Sequence, residues 1–307
     1  MTGKHPAILG TRGSRLALVQ AEECAKGLRA AGVEVEVRII RTTSEHHPDT
    51  PLAVIDQRDV FTRQLDEALL SGEIDLAVHS LKDVPTGLPE GITLAAITRR
   101  RDPSDVLVSD ERYTLDLLPR EAVVATSSLR RRAQLLHHRP DLEVVGIRGN
   151  VDTRVRKMRE GAADAVVLAR AGLERLGLDA PHTVIPTGMV LPAVGQGALA
   201  VATLQDHPLR GSIRETLNHG STEKAALAER AMLRTLEGGC RVPVGTSSVV
   251  EGNLVRLRGI VVSPDGALVY RGEAAGEEPE EVGERLALRL LEQGAAVVLG
   301  EVREVRS

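Results

Sequence analysis

Ala122-Val123-Val124-Ala125-Thr126-Ser127-Ser128-Leu129-Arg130-Arg131-Arg132 passes from an apolar run to hydroxyl residues and then to arginines. A short apolar run bounded by polar residues reads as a buried strand. Serine or threonine ahead of a run of helix formers reads as a helix start. Strand, polar loop and helix recur along the first two-thirds of the chain. Ala7-Ile8-Leu9 leads through Gly10-Thr11-Arg12-Gly13-Ser14 into an amphipathic helix with Leu16, Val19, Cys24 and Leu28 inward. Val33, Val35, Val37 and Ile39 alternate with charged residues, the period of a strand with one wet face. Thr42 to Asp59 reads as a long polar loop, followed by a helix from about Val60 to Leu70. Asp75 to Val78 delivers His79-Ser80-Leu81-Lys82-Asp83-Val84-Pro85. Val144 to Ile147 leads to Arg148-Gly149-Asn150 and a helix with Arg154, and Ala165 to Leu168 leads to a helix with Arg175. Strands alternating with helices imply a mainly parallel α/β sheet.

Two stretches interrupt this rhythm and read as crossings between domains: Arg99-Arg100-Arg101-Asp102-Pro103 and Leu191-Pro192-Ala193-Val194-Gly195-Gln196-Gly197-Ala198. They predict a discontinuous first α/β domain, residues 1-98 and 195-218, and a second at 103-191. Residues 220-307 read as a small α+β domain. Ser221 is placed to cap a helix running to about Leu236. Runs near Val244–Val250, Leu254–Val262 and Leu268–Ala274 are split by Gly252-Asn253 and Pro264-Asp265-Gly266, as in an antiparallel three-stranded sheet. A last helix is predicted from about Glu280 to Glu292.

Composition narrows the function. In 307 residues there is one Phe, two Tyr and no Trp, so the core rests on Leu, Val, Ile and Ala. The net charge of -4 and the lack of aromatic stacking platforms argue against nucleic acid. Two cysteines far apart fit a reducing compartment. No apolar run is long enough to span a membrane, and the N-terminal residues lack the apolar stretch of an export signal. A cytoplasmic protein is expected.

Arg12, Arg130, Arg131, Arg148 and Arg154 all follow predicted strands, where open α/β sheets bind their ligands. Helix N-termini there present free N–H groups. Ser14, Thr126, Ser127 and Ser128 add hydroxyls at the same level. Arginine grips carboxylate or phosphate with paired hydrogen bonds, so this set predicts a ligand with several anionic groups. The competing reading, solvated surface arginines, fits any single one better than it fits the group. Asp83, beside Lys82, suits general acid–base work or a turn cap. Cys240, in Leu236-Glu237-Gly238-Gly239-Cys240-Arg241-Val242-Pro243, sits on a predicted bend next to an arginine. It is either a reactive thiol or a small buried hydrophobe; Cys24 reads as packing. His46-His47 and His137-His138 lack the partners of a zinc site and read as surface residues, so no metal is expected.

These segments together resemble hydroxymethylbilane synthases, the porphobilinogen deaminases. The resemblance rests on Thr11-Arg12-x-Ser14-x-Leu16-Ala17-Leu18, on Val78 to Pro85, on Thr126 to Arg131, on Arg148-Gly149-Asn150, on Leu191 to Ala198 and on Leu236 to Cys240, in the family's order. It implies two periplasmic-binding-protein-like α/β domains with a hinged cleft, followed by a small α+β domain. The implied reaction is a deaminating transfer that joins four porphobilinogen molecules head to tail. The growing chain sits on a dipyrromethane cofactor bound through a thioether to Cys240. Water then releases hydroxymethylbilane, which passes to a downstream tetrapyrrole-cyclising enzyme. By match Asp83 is catalytic. Lys82, Thr126, Ser127, Ser128, Arg130 and Arg131 would hold the cofactor, and Arg12, Ser14, Arg148, Arg154 and Arg175 the substrate. Each pyrrole carries an acetate and a propionate, which explains so many arginines. The family is mostly monomeric. One segment departs from it: Val54-Ile55-Asp56-Gln57-Arg58-Asp59-Val60-Phe61 lacks the glycines of the flexible loop over the cleft. Arg58 can replace one of its lysines, Val54 stands where another is expected, and Phe61 either covers a pyrrole ring or packs as the first apolar residue of a helix. The rival is a non-enzymatic solute-binding protein of the two-domain type, which would have no need of Cys240. A DNA-binding regulator is weaker still, for want of basic charge.

Overall fold

The computed structural model describes residues 6–41, 62–236 and 242–304, the last four of these by backbone only. Arg58, Phe61, His46, His47 and Cys240 lie outside the described residues. Described residues up to Arg100, with Ala198–Glu223, form one compact unit; Arg101–Gly197 and those from Lys224 onward form a second.

The first unit is built on a five-stranded sheet. Its strands are β1 (Ala7–Thr11), β2 (Val35–Ile39), β3 (Leu76–Ser80), β4 (Ile92–Ile97) and, from far along the chain, Leu199–Leu204. The order is β2-β1-β3, then Leu199–Leu204, then β4. The three leading strands are parallel, and Leu199–Leu204 runs antiparallel to both its neighbours. Helix α1 (Arg15–Ala30) packs Ala21, Cys24, Ala25 and Leu28 into the core with Leu9, Leu76 and Leu199. Cys24 is thus a packing residue, 1% exposed. Leu16 and Val19 are only half-buried; the buried face of α1 instead includes Gln20, whose amide hydrogen-bonds Ser80 Oγ at 2.9 Å. Helix α2 (Arg63–Leu70) covers the other face through Leu65 and Leu69.

The second unit begins with the same design. Strands β5 (Asp105–Val108), β6 (Val123–Ala125), β7 (Glu143–Val145), β8 (Ala165–Ala169) and β9 (His182–Val184) take the order β7-β6-β8-β5-β9. Here β5 is the antiparallel strand. In each sheet the antiparallel strand is the one the chain enters directly from the other sheet. The likeness extends to single bonds. Asp75 takes the Ile8 N–H on its carboxylate at 2.7 Å and returns its own N–H to Ile8 O at 2.9 Å. Asp164 does the same with Val123, at 2.7 and 2.9 Å. This repeat is one of backbone and hydrogen bonds and left no short-period trace in the sequence. Helices α3 (Leu129–His138), α4 (Val151–Lys157) and α5 (Arg170–Leu176) follow β6, β7 and β8.

With Leu199–Leu204 as β10 and Arg210–Leu217 as α6, the chain enters α7 (Gly220–Thr235). Helix α7 starts before Ser221, which is therefore not its cap. His219 takes that place, its Nδ1 accepting the Thr222 N–H at 3.3 Å. Strands β11 (Val244–Glu251), β12 (Leu254–Val262) and β13 (Val269–Gly276) form the antiparallel sheet in that order, with Gly252 and Gly266 at positive φ in its turns. Helix α8 (Pro279–Leu290) and α9 (Ala296–Glu304) close it, and Met232, Val255, Leu257, Leu286 and Leu290 fill its core. The predicted α/β and α+β parts are thus present. The exception to parallel pairing, one strand in each five-stranded sheet, comes from the crossings. His137 and His138, expected at the surface, are half-buried because α3 packs against the β12–β13 turn: His137 Nδ1 meets Gly266 O at 3.2 Å.

Candidate active site

In the first unit, β1 and β3 are hydrogen-bonded neighbours pointing the same way, so the residues that follow them share one sheet edge. Arg12 follows β1. His79 and Ser80 end β3, and Leu81–Asp83 forms a single 3-10 turn. Ser14 caps α1, its oxygen accepting Ala17 N–H at 3.3 Å, which leaves its hydroxyl proton to donate. The turn bearing Lys82 and Asp83 is held at both ends: Leu81 N–H donates to Ala198 O at 3.0 Å and Val84 N–H to Leu81 O at 3.1 Å. Leu81 and Val84 are buried, whereas Lys82 and Asp83 are half-exposed. A carboxylate on such a turn has little freedom to drift, which general acid–base chemistry requires. His79 is buried. Desolvation, and then the Arg12 guanidinium nearby, push its pKa down from 6.5 to about 4, so it is neutral at neutral pH.

In the second unit the hydroxyls after β6 have different duties. Thr126 Oγ1 accepts Ser128 N–H at 3.2 Å, and Ser128 Oγ caps α3 by accepting Arg131 N–H at 3.4 Å. Ser127, though exposed, is committed: its hydroxyl donates to Ile147 O at 2.6 Å and accepts Ile147 N–H at 3.0 Å. It ties the loop after β6 to the loop after β7. Arg148 and Arg154 lie together beyond β7. Arg154 Nε donates to Gly149 O at 2.7 Å, and Lys157 Nζ to Arg148 O at 3.2 Å. Arg175, on the last turn of α5, is 8% exposed and donates to Gly197 O at 3.2 Å.

Arg130 and Arg131 are the least expected. Both are 5% exposed, on the first turn of α3, and both engage Asp105, which is fully buried at the start of β5. Arg130 Nη2 meets Asp105 Oδ2 and Arg131 Nη2 meets Oδ1, each at 2.8 Å. Arg130 Nη1 donates to Leu191 O at 2.6 Å and Arg131 Nη1 to Val167 O at 3.0 Å. Gln196 Nε2 donates to Asp105 Oδ1 at 2.8 Å and to Pro103 O at 2.6 Å. Burial alone would raise the Asp105 carboxyl. The two guanidiniums and the hydrogen bonds outweigh it and hold the group well below the carboxylate range. Burial, with the repulsion of Arg131, lowers Arg130, against the pull of Asp105. Two cations thus share one carboxylate, leaving a surplus buried positive charge, and both Nε atoms are buried with no hydrogen-bond partner among the described residues. Such a charge is costly unless an anion completes it.

Asp105 and Gln196 carried no role in the sequence reading. The available signal was a carboxylate opening the apolar run Asp105-Val106-Leu107-Val108, since a charge at the head of a fully buried strand must be paired. His79 was visible only as a motif letter. Among the described residues no cluster of three or more His, Cys, Asp or Glu could hold a metal ion.

Each α/β unit carries hydroxyls and guanidiniums beyond its strand ends, and the second holds one buried cation in excess, the chemistry of an α/β protein with sites for anionic groups. Residues 7–210 match the family model described as porphobilinogen deaminase, dipyromethane cofactor binding domain, and residues 224–292 that of the porphobilinogen deaminase C-terminal domain. The porphobilinogen deaminase of Rubrobacter xylanophilus is 69% identical over 97% of this chain and 98% of its own. That of Desulforudis audaxviator is 48% identical over 98% and 99%. The methionine-binding protein MetQ superposes with a TM-score of 0.44 at 14% identity, covering 68% of this chain and 89% of its own. The chain belongs to the porphobilinogen deaminase family.

The residues present fit the family's dipyrromethane. That group carries several carboxylates, and the surplus cation of the Arg130–Asp105–Arg131 cluster calls for one. Among the described residues no helix is long and apolar enough to cross a membrane.

Proposed function

We propose that this chain is a hydroxymethylbilane synthase: it joins four porphobilinogen molecules head to tail with loss of ammonia and releases hydroxymethylbilane by hydrolysis. The observation that carries the reading is the buried guanidinium pair sharing a single carboxylate, in a chain matched by both domain models of the family. When attached to Cys240, the dipyrromethane supplies the acceptor pyrrole to which substrate is joined. Arg130 and Arg131 hold its carboxylates, with Thr126 and Ser128 donating the protons their capping bonds leave over. Ser127 contributes by fixing the loop, since its own hydroxyl is engaged. Lys82 supplies nearby positive charge. Arg12, Ser14, Arg148, Arg154 and Arg175 receive the acetate and propionate of incoming substrate, each by charge-assisted hydrogen bonds.

Asp83 is the catalytic group. As ammonia leaves, positive charge develops on the substrate pyrrole nitrogen, and a fixed carboxylate stabilises it. The same carboxylate takes the proton lost when the ring regains aromaticity. His79, neutral and buried behind it in sequence, adds no competing charge. Arg58 and Phe61 are proposed to cover the bound pyrroles. The partition into 1-98 with 195-218, 103-191 and 220-307 is proposed as the domain structure; the separate sheets support it. The protein is proposed to act as a cytoplasmic monomer that hands its product to a cyclising enzyme.

The test is direct. Protein made in cells that supply porphobilinogen should show the added mass of two pyrroles and colour with an acidic aldehyde reagent. Cys240→Ser should abolish both, and Cys24→Ser neither. An unmodified wild-type mass would favour a solute-binding protein instead.

A further inference from the structure

The crossing segment Leu191–Gly197 is bonded along most of its length. Leu191 O accepts from Arg130 Nη1 and from Gln134 Nε2 at 3.1 Å, and Leu191 N–H donates to Gln134 Oε1 at 2.7 Å. Gly195 N–H donates to Glu229 Oε2 at 2.7 Å, and the other oxygen of this fully buried carboxylate accepts the Ser248 hydroxyl. Next in line, Gln196 reaches Asp105. The chain of bonds therefore runs from α7, the helix that leads toward Cys240, through the crossing to the carboxylate between the two arginines.

We propose that Asp105, held by Gln196, is a positioning residue for the dipyrromethane: it fixes the aim of Arg130 and Arg131 and leaves their remaining donors for the cofactor's carboxylates. A guanidinium offers five N–H donors. Arg130 and Arg131 each give one to Asp105 and one to a backbone carbonyl, so more than half of each fork remains. Without Asp105 the two like charges, adjacent on one helical turn, would repel and turn apart. With two carboxylates in place the pair would already be neutral and would have less attraction for a ligand. One shared carboxylate orders both side chains and keeps the surplus charge. Gln196 donates to Asp105 without adding charge, so it locks the carboxylate while preserving that balance. The inference rests on the assignment of the cofactor to Cys240.

The experiment compares thermal midpoints of the full chain without cofactor, made in cells unable to form porphobilinogen, and with it, confirmed by intact mass. In the wild type the attached cofactor should raise the midpoint. In Asp105→Asn that increment should shrink by more than half, and loading of the cofactor-free protein by added porphobilinogen should slow at least tenfold. Gln196→Ala, which leaves both ion pairs intact, should show the same change more weakly and serves if Asp105→Asn does not fold. Asp75→Asn, which weakens a half-buried bond in the other unit, should lower both midpoints and leave the increment as it was. An increment in Asp105→Asn or Gln196→Ala equal to that of the wild type would mean the cluster is only structural, and would overturn the proposal. Wild-type protein that gains no pyrrole mass would instead overturn the Cys240 assignment and this inference with it.

Discussion

A single carboxylate decides how two of the arginines act. On sequence alone Arg130 and Arg131 are donors waiting for a ligand; in the structure each already gives one of its five N–H donors to Asp105. Replacing Arg130 by Ala leaves Asp105 with one cation and takes away one of the two donors to Leu191 O, and breaking a buried pair costs about 3–5 kcal/mol. Chemical denaturation should show that loss. Asp83 behaves differently because it is half-exposed on a bonded turn. Asp83→Asn should fold, keep its cofactor by mass, and lose roughly a hundredfold or more in turnover, the usual scale for a proton-transfer group. A variant that kept most of its turnover would exclude the catalytic role. The sequence reading reached Asp83 and the arginines through their position after strands. It missed Asp105 because the local signal, a carboxylate opening an apolar run, does not name its partners, which lie 25 and 26 residues away.

Elements meet most closely where glycine replaces a side chain. A Cβ on Gly283 of α8 would stand 2.2 Å from Ala228 O and 2.7 Å from Met232 N of α7. Both of these are backbone atoms, so the two helices would have to separate. Gly283→Ala is expected to cost about 1–3 kcal/mol by overpacking, seen as a lower thermal midpoint. Because α7 leads toward Cys240, slower cofactor loading should accompany it. Element boundaries were legible where local chemistry sets them. The turns at Gly252-Asn253 and Pro264-Asp265-Gly266 were readable, as were the helices that follow the loops ending in Ser14 and Ser128. The start of α7 was not, because a histidine rather than the expected serine accepts the first N–H.

For the whole molecule, acid should remove stability in two windows. The folded pKa of His79 is depressed, from 6.5 to about 4, so its contribution is complete above 6.5 and is lost as pH falls from there toward 4. The shift corresponds to about 3 kcal/mol. Asp105 is also depressed, and its contribution is complete above 3.8 and lost only below that. Unfolding free energies measured between pH 7 and 4 should therefore decline, and His79→Gln should flatten that decline while leaving the steeper loss below it. The sequence by itself determined the alternation of strand and helix, the antiparallel C-terminal sheet, the family and the roll of arginines after strands. Those follow from periodicity, turn chemistry and residue type, which act over a few residues. Only the tertiary structure decided that each five-stranded sheet takes one antiparallel strand from a crossing. It also decided that Ser127 braces a loop, and that Gln196 and Asp105 aim two guanidiniums. The reason is physical: Asp105 meets Gln196 across 91 residues, and a buried charge finds its partners only when the strand ends that carry them are brought together.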